Sequence, residues 1–377
     1  MKYFALQILK ACMHIWYGLC RIPGVKDDRI LFLSRQSSEI PLDFAMIRDE
    51  LARRGSYDMV FICDRLGDGL GSKAAFAGDT LKAIRLMATS KVMVLDSYSI
   101  PVCVLPHKPS QTVIQIWHAI GKIKQSGYQT LGKVSGRDEK TARILHMHEN
   151  YDIVIAGGEA WNKAYCASFN ITEDKLRNVG LPRIDYLLST KESNRERVLA
   201  AYPEFADKTV ILYAPTFRRG WDLEWESLAE QFDKDKYAFV IKPHPNQALQ
   251  IDPEKYYECP EFTSLEILSA ADYLITDFSA IAVEAAAMNV NTYYYIFDKD
   301  RYLANNGLNL DIEEVMPACA FRDGKALAGA IQQGTYPAEE FIEYRRKYLP
   351  GDLGHSTEKI VDLIEEAIRS KGNGRQK

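Results

Sequence analysis

The sequence predicts an α/β protein built from two doubly wound domains in succession, and three observations carry that expectation. Short Val/Ile/Leu runs recur unbroken rather than alternating, as strands of a parallel sheet buried on both faces require. Longer stretches with helical periodicity separate them. The length, 377 residues with 47% apolar and 26% charged, is too great for one ordinary domain and sufficient for two cores.

The first segment, MKYFALQILKACMHIWYGLC, is apolar but interrupted by Gln7, Lys10, His14 and, just beyond, Arg21. These fall on one stripe of a helix, with Phe4, Leu6, Ile8, Ile15, Trp16 and Leu19 elsewhere around it. Polar groups at every turn disfavour a spanning helix, and Ile22-Pro23-Gly24 is a poor signal-cleavage site. Residues 1–22 therefore read as an amphipathic helix in the membrane interface, with Lys2, Lys10 and Arg21 near anionic headgroups. The alternative is a helix packed on its own domain.

From Pro23 the expected strands are Arg29–Ser34, Met59–Cys63, Val92–Asp96, Thr112–Trp117 and Ile153–Ala156, with helices near Leu42–Arg54 and Ala74–Ala88. This forms a first Rossmann-like domain, 23–188. A second, 189–350, follows with strands Thr209–Ala214, Ala238–Lys242, Tyr273–Thr276 and Thr292–Ile296. Helical patterns at Lys191–Ala201, Leu265–Ala270 and Ala280–Met288 fall among them. Residues 351–377 read as a C-terminal helix and a frayed tail. Two such domains imply a cleft with ligands at the carboxyl ends of strands.

The net charge of −4 argues against a nucleic-acid partner. Seven scattered cysteines with no CxxC pair read as reduced thiols. Gly67-Asp68-Gly69-Leu70-Gly71 has the wrong spacing for a dinucleotide fingerprint and reads as a mobile loop. His146-Met147-His148 lacks an evident third ligand, and nothing demands a metal or other cofactor.

Four segments at strand ends could carry chemistry. In Trp117-His118-Ala119-Ile120-Gly121-Lys122, a strand delivers His118 to a turn as a candidate general base. Lys122 and Lys124 follow and could offset phosphate charge. Tyr213-Ala214-Pro215-Thr216-Phe217-Arg218-Arg219 ends a strand at proline and presents Arg218, whose planar fork suits phosphate oxygens. Lys242-Pro243-His244-Pro245 presents a cation and an imidazole stiffly, as a diphosphate contact would require. Thr276, Asp277 and Ser279 sit where a strand meets a helix N-terminus, a place that favours anions. Glu284, further along, could read sugar hydroxyls. Each segment also has a plain structural reading: a core histidine, solvated arginines, a stiff turn, and N-caps.

Taken together and in order, these stretches resemble the CDP-glycerol glycerophosphotransferase family of teichoic acid and capsule synthesis. The matching residues are Trp117-His118-Ala119, Gly180-Leu181-Pro182-Arg183-Ile184-Asp185, Tyr213 to Arg218, Lys242 to Pro245, Thr276 to Ser279, and Tyr302 with Asn306-Gly307-Leu308. The resemblance implies a GT-B-like pair of Rossmann-like domains and peripheral attachment to the cytoplasmic face of a bacterial membrane. It implies transfer of glycerol phosphate from CDP-glycerol to an undecaprenyl-diphosphate-linked saccharide or growing chain, with CDP-ribitol or a nucleotide-sugar reaction of the same fold as alternatives. His118 matches the family's catalytic base and His244 its donor-diphosphate contact. Thr276 and Ser279 match donor-phosphate ligands, and Arg218 a basic residue of the same cleft; Lys242, Asp277 and Glu284 are taken with them. Lys122, Lys124 and Arg183 are expected as acceptor or phosphate contacts. Three positions depart from the pattern: Ala119 stands where the family usually has glycine, Ala280 where serine is frequent, and Glu284 where it has aspartate. The short chain tilts the expectation toward a primase.

Overall fold

The chain opens on a helix, Lys2–Cys20, that rests on the first domain through Met13, Tyr17 and Cys20. Lys2 reaches the Asp138 carboxylate at 2.7 Å, and Lys10 donates to Nε2 of His146 at 2.6 Å. Lys2 and Lys10 are thus each engaged by a residue of the protein itself. The outward side carries apolar groups instead, with Phe4 73%, Ile15 68% and Leu19 58% exposed. Among the described residues no helix is long and apolar enough to cross a membrane.

The computed structural model describes residues 1–65, 69–218, 220–244, 247 and 249–370. Gly67 and Asp68 of the glycine-rich loop, Arg219, Pro245 and the tail from 371 lie outside them. From Leu70 the predicted loop is already helix, Leu70–Met87.

The chain divides into two units, the first comprising Met1–Ile120, Ser126–Arg183 and His355–Lys377, the second Gly121–Gln125 and Ile184–Gly354. In the first, β1 (Lys26–Ser34), β2 (Asp58–Cys63), β3 (Ser90–Leu95), β4 (Thr112–Gln115), β5 (Ile153–Ile155) and β6 (Leu176–Arg177) form one sheet. Its order is β2-β1-β3-β4-β5-β6, and every pairing is parallel. All six residues of β3 are buried, as covering on both faces requires. In β1 the leading Lys26, Asp27 and Asp28 are exposed, so the apolar signal in the sequence begins only where the strand enters the core.

The second unit repeats the winding. Here β7 (Thr209–Tyr213), β8 (Tyr237–Ile241), β9 (Tyr273–Thr276), β10 (Asn291–Tyr295) and β11 (Ala320–Phe321) lie in the order β8-β7-β9-β10-β11, again all parallel. In each sheet the winding reverses beside its first strand, between β1 and β3 and between β7 and β9. Such switch points open a crevice at the carboxyl ends of the strands.

The terminal helix, Ser356–Arg369, belongs to the first unit although it follows the second in sequence. Ile360, Val361 and Ile364 bury its apolar side. Tyr57 donates to Glu365 at 2.8 Å, and the Arg54 guanidinium, itself bonded to Glu50, reaches Asp362 at 2.5 Å. All seven cysteines are free.

Candidate active site

In the first domain, β4 ends at Gln115 and the chain turns sharply. Trp117 takes φ of 59°, a left-handed conformation that a bulky residue adopts only when its surroundings impose it. Its N–H donates to the Gln115 side-chain oxygen at 2.9 Å, and its ring lies 4.2 Å from that of His118. The half-buried His118 places Nδ1 3.0 Å from the backbone carbonyl of Asp96, at the end of β3. A carbonyl can only accept, so Nδ1 carries the proton and Nε2 is the basic nitrogen. Ala119 is absent from the described residues with positive φ, so a glycine there would relieve no strain, and the turn's unusual residue is Trp117.

Asp96 is the anchor that sequence reasoning missed. It is buried, and its Oδ2 accepts from the Ser34 hydroxyl at 2.6 Å, which ties the end of β1 to the end of β3 across the switch point. Burial raises the pKa of its carboxyl, against the hydrogen bonds from Ser34 and Ser97. The signal available in the sequence was an acid immediately after a strand run. Arg183, expected as a substrate contact, instead directs its guanidinium and backbone N–H to the buried carboxylate of Asp43.

In the second domain three loops meet at the ends of β7, β8 and β9. Asp277 joins two of them by accepting from the backbone N–H of Thr216 at 2.9 Å and of Phe278. Gln247 joins the third, accepting from Arg218 N–H at 3.0 Å. The Arg218 side chain is 0% exposed, ion-paired to Asp277 at 2.7 Å and to Asp298 at 2.6 Å. It also lies 4.8 Å from the ring centre of Tyr302. Burial works against the charged guanidinium, but Asp277 and Asp298 outweigh it and leave its pKa raised. Arg218 is thus engaged inside the domain, and its structural role is to brace the loop. Thr276 is likewise fully buried, donating its hydroxyl to the Ala214 carbonyl at 2.7 Å. Asp298, beyond the end of β10, also accepts from Trp221 Nε1 and had not been singled out.

Ser279 is half-buried and His244 exposed; the His244 ring lies 5.7 Å from that of Phe217. The following helix, Ile281–Ala287, starts after Ala280 with no side-chain cap, so the capping explanation for Thr276, Asp277 and Ser279 falls away. Glu284 is buried on that helix. The Thr216 hydroxyl is buried without a hydrogen-bond partner among the described residues, at the loop the other contacts hold in place. Lys242 donates to the Cys259 carbonyl at 2.7 Å, and burial lowers its pKa.

Lys122 and Lys124 group with the second domain, where the Lys122 carbonyl accepts from Asn309 and Lys124 bridges to Leu308. Lys122 is buried, and desolvation pushes its pKa well below the ordinary lysine value. The unfolded chain then binds the extra proton over the window between the two pKa values, so stability rises as pH rises through it. The Lys122→Met variant should flatten this rise in Tm between neutral and mildly alkaline pH; an unchanged profile would show that Lys122 is not the group responsible. Among the described residues no three His, Cys, Asp or Glu side chains gather as a metal-ligand set.

Two Rossmann-like domains, each with polar groups gathered at the carboxyl ends of its strands, define a protein of the GT-B-like class. The family model described as CDP-Glycerol:Poly(glycerophosphate) glycerophosphotransferase matches residues 16–366, and the chain belongs to that family. It is 26% identical to the teichoic acid ribitol-phosphate primase of Bacillus spizizenii, covering 98% of this chain and 99% of the relative. To the teichoic acid glycerol-phosphate primase of Bacillus subtilis it is 27% identical, covering 76% and 77%. The wall teichoic acid polymerase TagF shares the fold, with a TM-score of 0.76 at 17% identity over 96% of this chain and 98% of that one.

Proposed function

We propose that this enzyme transfers glycerol phosphate from CDP-glycerol to a hydroxyl of a lipid-linked saccharide, releasing CMP. The observation that carries the reading is His118, whose Nδ1 donates to the Asp96 carbonyl, which makes Nε2 the basic nitrogen. The acceptor hydroxyl attacks the glycerol-bearing phosphorus and passes its proton to Nε2. The new P–O bond forms as the bond to the cytidylate oxygen breaks, and CMP leaves with the electron pair. Such a step needs alignment and charge stabilisation rather than a covalent intermediate. His244 and Ser279 are assigned to the donor diphosphate, with the Thr216 hydroxyl as a further donor. Arg218, Asp277, Thr276 and Lys242 hold the loops that present them. The exposed apolar side of the helix Lys2–Cys20 supports peripheral attachment to a membrane, which this reading assigns to the inner face.

A CDP-ribitol donor is the second reading, favoured by the end-to-end match to a ribitol-phosphate primase. Incubation with CDP-glycerol, CDP-ribitol or a UDP-sugar and a lipid-linked disaccharide, with mass spectrometry counting added units, decides between them. One glycerol phosphate per acceptor is the expected product. Turnover of the UDP-sugar alone would overturn the reading. His244→Ala should weaken donor binding by about 10- to 100-fold in calorimetry, the range expected for a lost hydrogen bond to a charged group. Unchanged affinity would remove His244 from the diphosphate site.

A further inference from the structure

Within the first domain, a cavity of about 400 Å³ opens beside the N-terminal helix. This is the size of a small-molecule site. Leu9 and Met13 of that helix form one wall, and Phe76, Ala77 and Ile84 of the helix Leu70–Met87 another. The lining surface is mostly apolar, although Asp79, Thr80 and Ser99 also contribute to it. Two of its apolar lining residues reach solvent, Leu81 51% and Leu9 46% exposed.

One end is different. Ser34, Arg35, Asp64 and Ser97 close it, at the carboxyl ends of β1, β2 and β3. Arg35 lies 4.9 Å from the Phe76 ring centre, and its buried Nε has no hydrogen-bond partner among the described residues. The Asp64 Oδ2 is likewise buried and unpartnered. A spare cationic donor beside a spare carboxylate oxygen matches a head that carries both phosphate and hydroxyl groups. Ser34 and Ser97 both bond to Asp96, whose carbonyl holds His118. The polar end therefore stands two hydrogen-bonded steps from the candidate base.

We propose that this cavity takes the hydrocarbon chain of the lipid-linked acceptor next to its head, with Arg35 meeting the phosphate and Asp64 a sugar hydroxyl. The site rests on the transfer reading above and specifies where its acceptor enters: from the bilayer, along the N-terminal helix, toward His118. A mostly apolar cavity with polar groups at the strand ends suits a chain already resident in a membrane, since the chain passes from one apolar medium to another while its head meets polar groups.

The test uses the full chain in detergent micelles with a farnesyl diphosphate probe bearing a benzophenone at its tail. After irradiation, mass spectrometry should find adducts at Leu9–Met13 and Phe76–Ile84. Ala77 is exposed on its helix, so Ala77→Trp should fold normally, checked by its melting curve, while narrowing the cavity. It should reduce labelling at least about tenfold and lower kcat/KM for a long-chain acceptor but not for a short-tailed one. Adducts elsewhere in the wild-type protein, or labelling indifferent to Ala77→Trp, would overturn the site. Specific labelling without turnover of any CDP-alditol would instead retain the site and discard the transfer reading.

Discussion

Replacing His118 by alanine is expected to lower kcat by about 10²- to 10⁴-fold, the usual contribution of a positioned general base. Donor affinity, measured by calorimetry, should be unchanged. The asymmetry follows from placement: His118 sits on the first domain's β4 loop, whereas the groups assigned to the diphosphate sit on the second domain's loops. The loss should appear in the chemical step, equally in kcat and kcat/KM, because the proton is removed only as the hydroxyl attacks. Normal turnover by the variant would end the base assignment. A loss of donor binding of the same size would move His118 from base to ligand. Asn cannot substitute, since an amide has no basic nitrogen to accept the proton.

The second large effect is on stability. Arg218→Met should destabilise the second domain by about 3–5 kcal/mol, because removing one partner of a buried ion cluster strands the charges that remain. Here two carboxylates are stranded, Asp277 and Asp298, and both also hold backbone or indole N–H groups. The chain has two units and need not unfold in one step, so a single Tm is a poor measure. Hydrogen exchange at β7 and β9 is the sharper one, and protection there should fall while β1 and β3 of the first domain keep theirs. Donor affinity, measured below the melting range, separates bracing from contact. If Arg218 touched the diphosphate, affinity would drop even with exchange protection intact, and that result would return it to the ligand set.

These outcomes bear on how much the sequence could tell. The alternation of strand and helix was legible because burial on both faces leaves continuous apolar runs, and β9, Tyr273–Thr276, appears with the expected bounds. The strands that were missed, Leu176–Arg177 and Ala320–Phe321, have two residues each, too few for any periodicity. His118, His244 and Ser279 could be picked out because each follows a strand run, and carboxyl ends of parallel strands are where ligands bind.

What the sequence by itself determined, then, is the class of fold, the family motifs and the loops on which polar groups gather, all of which depend on residues near one another along the chain. Only the tertiary structure decided which polar groups are engaged within the protein. Arg218 meets Asp298 across 80 positions and Arg183 meets Asp43 across 140. Lys10 of the N-terminal helix meets His146 across 136. The physical reason is that an ion pair or a hydrogen bond between distant residues needs proximity in space and leaves no periodic trace in sequence. A loop arginine offered to a phosphate and one neutralised by two aspartates look the same until the chain is folded.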